Sequence, residues 1–266
     1  MASTAAAERL TNAYRAQQLA DRAGSIRNLV QLWKAVDPTR LSATIDVFTQ
    51  AATLLLGQAY DVSGVLASNY FGLFRDAEGI AGAAPRVAAA ARPSADFMAG
   101  QLRGSALTGI INARKAGKSV ATAADNGLVS VIGTFGKLVL SGGNKTIISA
   151  VHSDKKATGW VRVTSSDPCT FCRTVAGRGA VYRSDRSASF EPHDHCSCTA
   201  EPVYRDTSLD QSEQWHDEYR DAQVWARSTG NLSKDTSNDA LNNYRRYVAA
   251  GKPTPGQDGG TEDSGA

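Results

Sequence analysis

The sequence predicts an α+β fold that is mainly α: a helical N-terminal region followed by a small, stapled C-terminal α+β module. Three observations carry this expectation. Apolar residues recur at helical spacing through the first half of the chain. Strand-like alternation begins only after about residue 155. All four cysteines and two of the four histidines fall between Cys169 and Cys198.

Taken in order, Ile26, Leu29, Val30 and Trp33 mark one face of a first helix. Asp37-Pro38 stops it, because a residue before proline is pushed out of the α region. Leu41, Ile45, Phe48, Ala52 and Leu55 place a second helix, and Val62, Leu66, Tyr70 and Leu73 a third. Gly79, Gly82 and Pro85 break the chain again, and Pro93 opens a helix that runs past Ala113. The segment "VATAADNGLVSVIGTFGKLVLS" mixes Ala-rich helical character with β-branched residues and glycines, and its type stays open. "ATGWVRVTSS" alternates as a strand and "TAEPVY" is a second extended piece. "SEQWHDEYRDAQVWAR" and "TSNDALNNYRRYV" form two short helices before a disordered Gly/Pro/Ser/Thr-rich tail. The expected organisation is a helical assembly region over 1–155, a Cys/His module over 156–205, helices over 206–250 and the tail over 251–266.

Composition excludes some classes. No run of about 18 or more apolar residues is present, so no membrane span is expected. The N-terminus lacks the basic and apolar regions of a secretion signal, which points to a reducing compartment and against disulfides. The net charge is +3, but from Gln101 to Trp160 eight basic residues face only Asp125 and Asp154, a local net of +6. With Arg162, Arg173, Arg178, Arg183 and Arg186, this basic segment over 101–186 is a candidate surface for sequence-independent phosphate contacts; the alternative is a solvated, solubilising face. Two glycine-rich stretches imitate phosphate loops. In "NARKAGKSV" the first glycine of the pattern falls on Asn112, and "SGGNKT" at 141–146 also fails the spacing, so both read as solvated turns.

The chemistry concentrates in "DPCTFC" at 167–172 and "FEPHDHCSC" at 190–198. A Cys-x-x-Cys bend supplies two ligands of a tetrahedral zinc site, here Cys169 and Cys172. His193 and Cys196 repeat that spacing and are the favoured second pair, with Cys198 or His195 able to replace either. Such a four-ligand site is closed and makes a zinc-stapled module. A catalytic zinc site keeps an open position beside a carboxylate base, for which Glu191 and Asp194 are near in sequence. A deaminase pattern fails, since no His-x-Glu precedes Pro168-Cys169-Thr170-Phe171-Cys172. His152 and His216 read as surface and helix-face residues.

At these residues the chain resembles the Mu F-like phage minor head, or head morphogenesis, proteins. "DPCTFCRTVAGRGAVY" and "HDHCSCTAEPVY" match that family's C-terminal motif at Cys169, Cys172, Gly177, His193, Cys196, Cys198 and Pro202. The motif covers about 45 residues, and the helical half is similar in style to actinobacteriophage members. The resemblance implies a structural virion protein inside the phage head, made in the host cytoplasm. It further implies association with the portal protein, the major capsid protein as second partner, and a part in head assembly and DNA packaging or ejection. The competing functions are a phage capsid maturation protease or nuclease, and a zinc-ribbon nucleic-acid binder. No nucleophile, base and oxyanion donor come together in the sequence, so a non-enzymatic role is expected. Tyr70, Phe71 and Phe74, near the end of a long helix, are the expected exposed anchors on the larger assembly; the alternative, expected for at least one of them, is packing within the helical bundle.

Overall fold

A computed structural model describes residues 3–165, 168–179, 194–205, 210–230, 232 and 239–252. Four long helices come first. Helix α1, Ala5–Trp33, begins where the Thr4 hydroxyl accepts a hydrogen bond from the Ala7 amide at 3.2 Å. It ends four residues before Asp37, whose carboxylate instead accepts from the Thr39 amide at 2.8 Å and turns the chain.

Helix α2, Leu41–Ala77, joins the second and third expected helices into one element of 37 residues, about 55 Å long. Its core-facing stripe in the second half is Ser63, Gly64, Ala67, Tyr70, Phe71 and Phe74, while Val62 and Leu73 point outward at 48% and 56% exposure. The apolar periodicity is therefore misphased there. Small residues occupy the contact face, where neighbouring backbones approach closely, so apolarity alone does not mark it.

The Gly79 and Gly82 break is present, both residues having positive φ. Helix α3, Ala95–Lys115, follows Pro93 with Ser94 as its cap. The first imitation phosphate loop is the α3–α4 connection: Gly117 takes φ 76° and Ser119 caps α4, Val120–Ser153.

The second imitation loop is neither solvated nor a turn. Residues 141–146 lie inside α4, with Gly142 and Gly143 buried. A Cβ at Gly142 would collide with the Tyr60 carbonyl of α2. The glycines that left this segment's type open in the sequence thus mark the central helix, which packs against α1, α2, α3 and both strands. Close packing overrides their poor helix propensity.

Strand β1, Gly159–Val163, pairs antiparallel with β2, Thr199–Val203, in the register Trp160 to Pro202. Between them lies α5, Thr170–Ala176, a helix inside the expected Cys/His module. Helices α6, Asp210–Ser228, and α7, Asp239–Ala249, close the described chain. Gly177 ends α5 against α6, where a Cβ would come within 2.9 Å of the His216 amide nitrogen. Arg173 adds an ion pair to Glu218 at 2.6 Å and lies over the Trp215 ring.

Two large apolar cores result. One holds Leu29, Trp33, Phe48, Leu56, Met98, Leu102 and Phe135. The other gathers Tyr14, Phe71, Phe74, Ile147 and Trp160 together with Cys172, Cys196 and Cys198. The expected aromatic anchors are thereby corrected: Tyr70, Phe71 and Phe74 are 4%, 0% and 1% exposed. Tyr70 stacks on Tyr14, and Phe74 packs against Tyr70 and Tyr204, because α1 and β2 cover that end of α2.

A buried thiol cluster as candidate metal centre

Two segments that meet at the second core bring the cysteines together. Cys172 comes from the first turn of α5, and Cys196 and Cys198 from the segment that enters β2. Their sulfurs lie within 4.8 Å of one another, and all three residues are buried. Cys172 Sγ and Cys196 Sγ are 3.5 Å apart. Four thiolates around a zinc ion at a bond length of about 2.3 Å have edges of about 3.8 Å, so the spacing fits a tetrahedral soft-metal site. Cys169, the exposed fourth thiol, caps α5 by accepting from the Cys172 amide at 3.4 Å. The Cys198 amide donates likewise to Cys196 Sγ at 3.4 Å.

Hydrogen bonds order the protons in this cluster. The bond with Cys169 is the largest influence that holds Cys172 protonated, joined by bonds with Cys196 and Cys198 and by burial. Cys196 loses its proton most readily, since Cys172 and then Cys198 hydrogen-bond to it and the Arg162 guanidinium is close. A metal ion held by these cysteines would replace the shared protons and remove the conflict, because bound cysteines are thiolates.

Groups from the helical region position this segment. Asn144 of α4 accepts from the Ala200 amide at 2.9 Å and donates to the Cys198 carbonyl at 3.3 Å. Arg22 of α1 donates to the Cys196 carbonyl at 2.9 Å. Neither residue was visible as a site residue in the sequence. Asn144 sits inside the "SGGNKT" stretch, which carries no sign of that role.

The remaining site candidates distribute as follows. His193 and Glu191 lie outside the described residues. His195 is exposed, takes φ 64°, and sets its ring against Gly133 of α4 rather than among the clustered sulfurs. Asp194 is engaged by Lys137 at 2.9 Å and by the Thr134 hydroxyl at 3.2 Å. His152 and His216 are exposed, His216 on α6 as the sequence indicates.

Beside the cluster, Glu201 of β2 is 6% exposed. Burial pushes its carboxyl up to about 7, with Glu78 raising it further; hydrogen bonds from Thr11 and Ser3 and the charge of Arg15 act in the opposite direction. A carboxyl with a raised folded-state value contributes its full stabilisation below about pH 4.5 and loses it as the pH rises through about 7. Thermal melts from pH 5 to 7.5 are expected to show wild-type stability falling relative to Glu201→Gln, by on the order of 3 kcal/mol. Parallel pH profiles for the two proteins would contradict the assignment.

The class that fold and site define is a helical protein whose core is closed by a cysteine cluster. The family model described as VG15 protein matches residues 1–222, and the chain belongs to that family. It is a phage protein. The matched region includes every cysteine and ends within α6. No curated protein and no solved structure matches the chain. Among the described residues no helix is long and apolar enough to cross a membrane.

Proposed function

We propose that this phage protein is a minor head protein of the Mu F-like kind, which binds the portal inside the capsid and aids assembly and DNA packaging or ejection. The observation that carries the reading is the convergence of Cys172, Cys196 and Cys198 on one buried centre in a chain of phage family membership. These are cysteines of the motif on which the head-protein resemblance rests. Zinc is the assigned metal, with Cys169 or His193 as its fourth ligand. The role in this reading is structural, supported by the burial of the three clustered thiols, which are 1–3% exposed.

The docking surface is the outer face of α2. Val47, Leu54, Val62, Val65 and Leu73 are 48–73% exposed, and at 100° per residue they fall on one stripe about 40 Å long. The stripe is interrupted by the exposed amides of Gln58 and Asn69, and an apolar surface of that length suits burial against a larger assembly. The major capsid protein is the second partner. Contact with packaged DNA narrows to Arg114, Lys115, Lys118, Lys145, Lys155, Lys156 and Arg178, which are exposed. Arg162 and Arg173 are buried, Arg103 is engaged by Asp46 and Lys137 by Asp194, so these four leave the expected phosphate-binding set. Arg183 and Arg186 lie outside the described residues.

Co-expression with the portal protein of the same phage, followed by size-exclusion chromatography, tests the reading. Wild type is expected to co-elute with the portal ring, and the double variant Leu54→Glu, Val65→Glu to elute alone with unchanged helicity. Independent elution of wild type, or undiminished binding by the variant, contradicts the proposed surface.

A further inference from the structure

Three arginines surround the thiol cluster, and two of them come from the first helix. Arg15 lies close enough for its charge to act on Cys198, and Arg22 on Cys196. Arg162 of β1, 3% exposed, acts on both cysteines. The Arg22 side chain passes directly over Gly136 of α4, where a Cβ would come within 2.6 Å of its Nε. The helix thus lacks a side chain at the point where the guanidinium crosses it toward the Cys196 carbonyl. The Nε of Arg15 and that of Arg22 are both buried without a hydrogen-bond acceptor, and among the described residues no carboxylate pairs with Arg22.

Arg22 is half-buried, and a guanidinium whose buried Nε has no acceptor is costly unless an opposite charge lies nearby. The thiol cluster supplies that charge only when its cysteines are thiolates. A divalent ion held by three thiolates and one histidine carries a net charge of −1, and one held by four thiolates carries −2. Both need burial beside cations.

We infer that Arg22 is a countercharge of a loaded metal centre, so that helix α1, far away in sequence, is a working part of the site. The inference rests on the metal reading proposed above. It makes metal loading and the docking of α1 one linked equilibrium: metal tightens α1 against the core, and the Arg22 charge tightens the metal. The centre is then a clasp between the first helix and the β1–β2 module, and not a self-contained knuckle.

The test uses purified full-length protein and zinc itself, with affinity measured by competition against a chromophoric chelator. Arg22→Met keeps the bulk and removes the charge, and is expected to weaken zinc binding roughly 10- to 100-fold, the range typical of groups that support metal ligands from outside. Arg22→Lys keeps the charge and is expected to recover most of that loss. In wild type, hydrogen exchange of α1 amides near residues 15–22 is expected to slow on adding zinc, a readout independent of whether Arg22→Met folds. Zinc bound by wild type with unchanged affinity in Arg22→Met, or with α1 exchange indifferent to the metal, overturns the countercharge role while the metal reading stands. Failure of wild type to bind zinc overturns the metal reading itself.

Discussion

Replacing Cys172 and Cys196 together by serine is expected to reduce metal content from about one zinc per chain to near zero and to lower the melting temperature by on the order of 10 °C. The size of the effect follows from where the cysteines are. They share a core with Tyr14, Phe71, Phe74, Ile147 and Trp160, so the loss reaches beyond residues 159–205 into the contacts of α1, α2 and α4. Serine also leaves hydroxyls where buried sulfurs had metal or one another as partners. Elemental analysis and thermal melts check both parts. Zinc-free wild type with wild-type-like melting in the variant contradicts the account of a metal-stapled core.

Asp154→Ala is expected to cost about 3–5 kcal/mol, measured by urea unfolding, because it strands a buried cation. Asp154 follows α4 and accepts from Arg75 Nε at 2.9 Å, with both side chains under 5% exposed. It accepts also from the Tyr204 hydroxyl at 3.1 Å and the Lys156 amide at 3.0 Å. Arg75 meanwhile donates to the carbonyls of Ile80, Ala81 and Gly82. One ion pair therefore fixes the end of α2, the break after it, the exit from α4 and the end of β2. The double variant Arg75→Met, Asp154→Leu is expected to recover much of the loss, since it removes both charges together. A cost below about 1 kcal/mol for Asp154→Ala would show that the pair is not holding these elements.

Much of this organisation was legible in the chain. The start of α3 was marked by Pro93, and the break after α2 by Gly79 and Gly82, because proline and positive-φ positions are local chemistry. The two strands declared themselves through Trp160, Val161 and Val163 and through "TAEPVY". Cysteine spacing likewise brought Cys172 and Cys196 into one expected centre, and allowed for Cys198.

What was not legible depends on partners distant in sequence. The glycines of α4 look like helix breakers until Tyr60 and Arg22 are seen against Gly142 and Gly136. Tyr70, Phe71 and Phe74 look like surface anchors until α1 and β2 cover them. Arg162 and Arg173 count as surface charge in a sequence and prove to be interior groups. Arg22 and Asn144 carry no motif; only the fold places them on the cysteine segment.

The central claim, that this phage protein is a minor component of the head, is tested most directly by quantitative mass spectrometry of purified virions. The account predicts the protein in mature particles at a fixed ratio to the portal protein and in far fewer copies than the major capsid protein. Its absence from particles, with the protein free in the lysate, would contradict the head role and leave a non-virion function for the same fold.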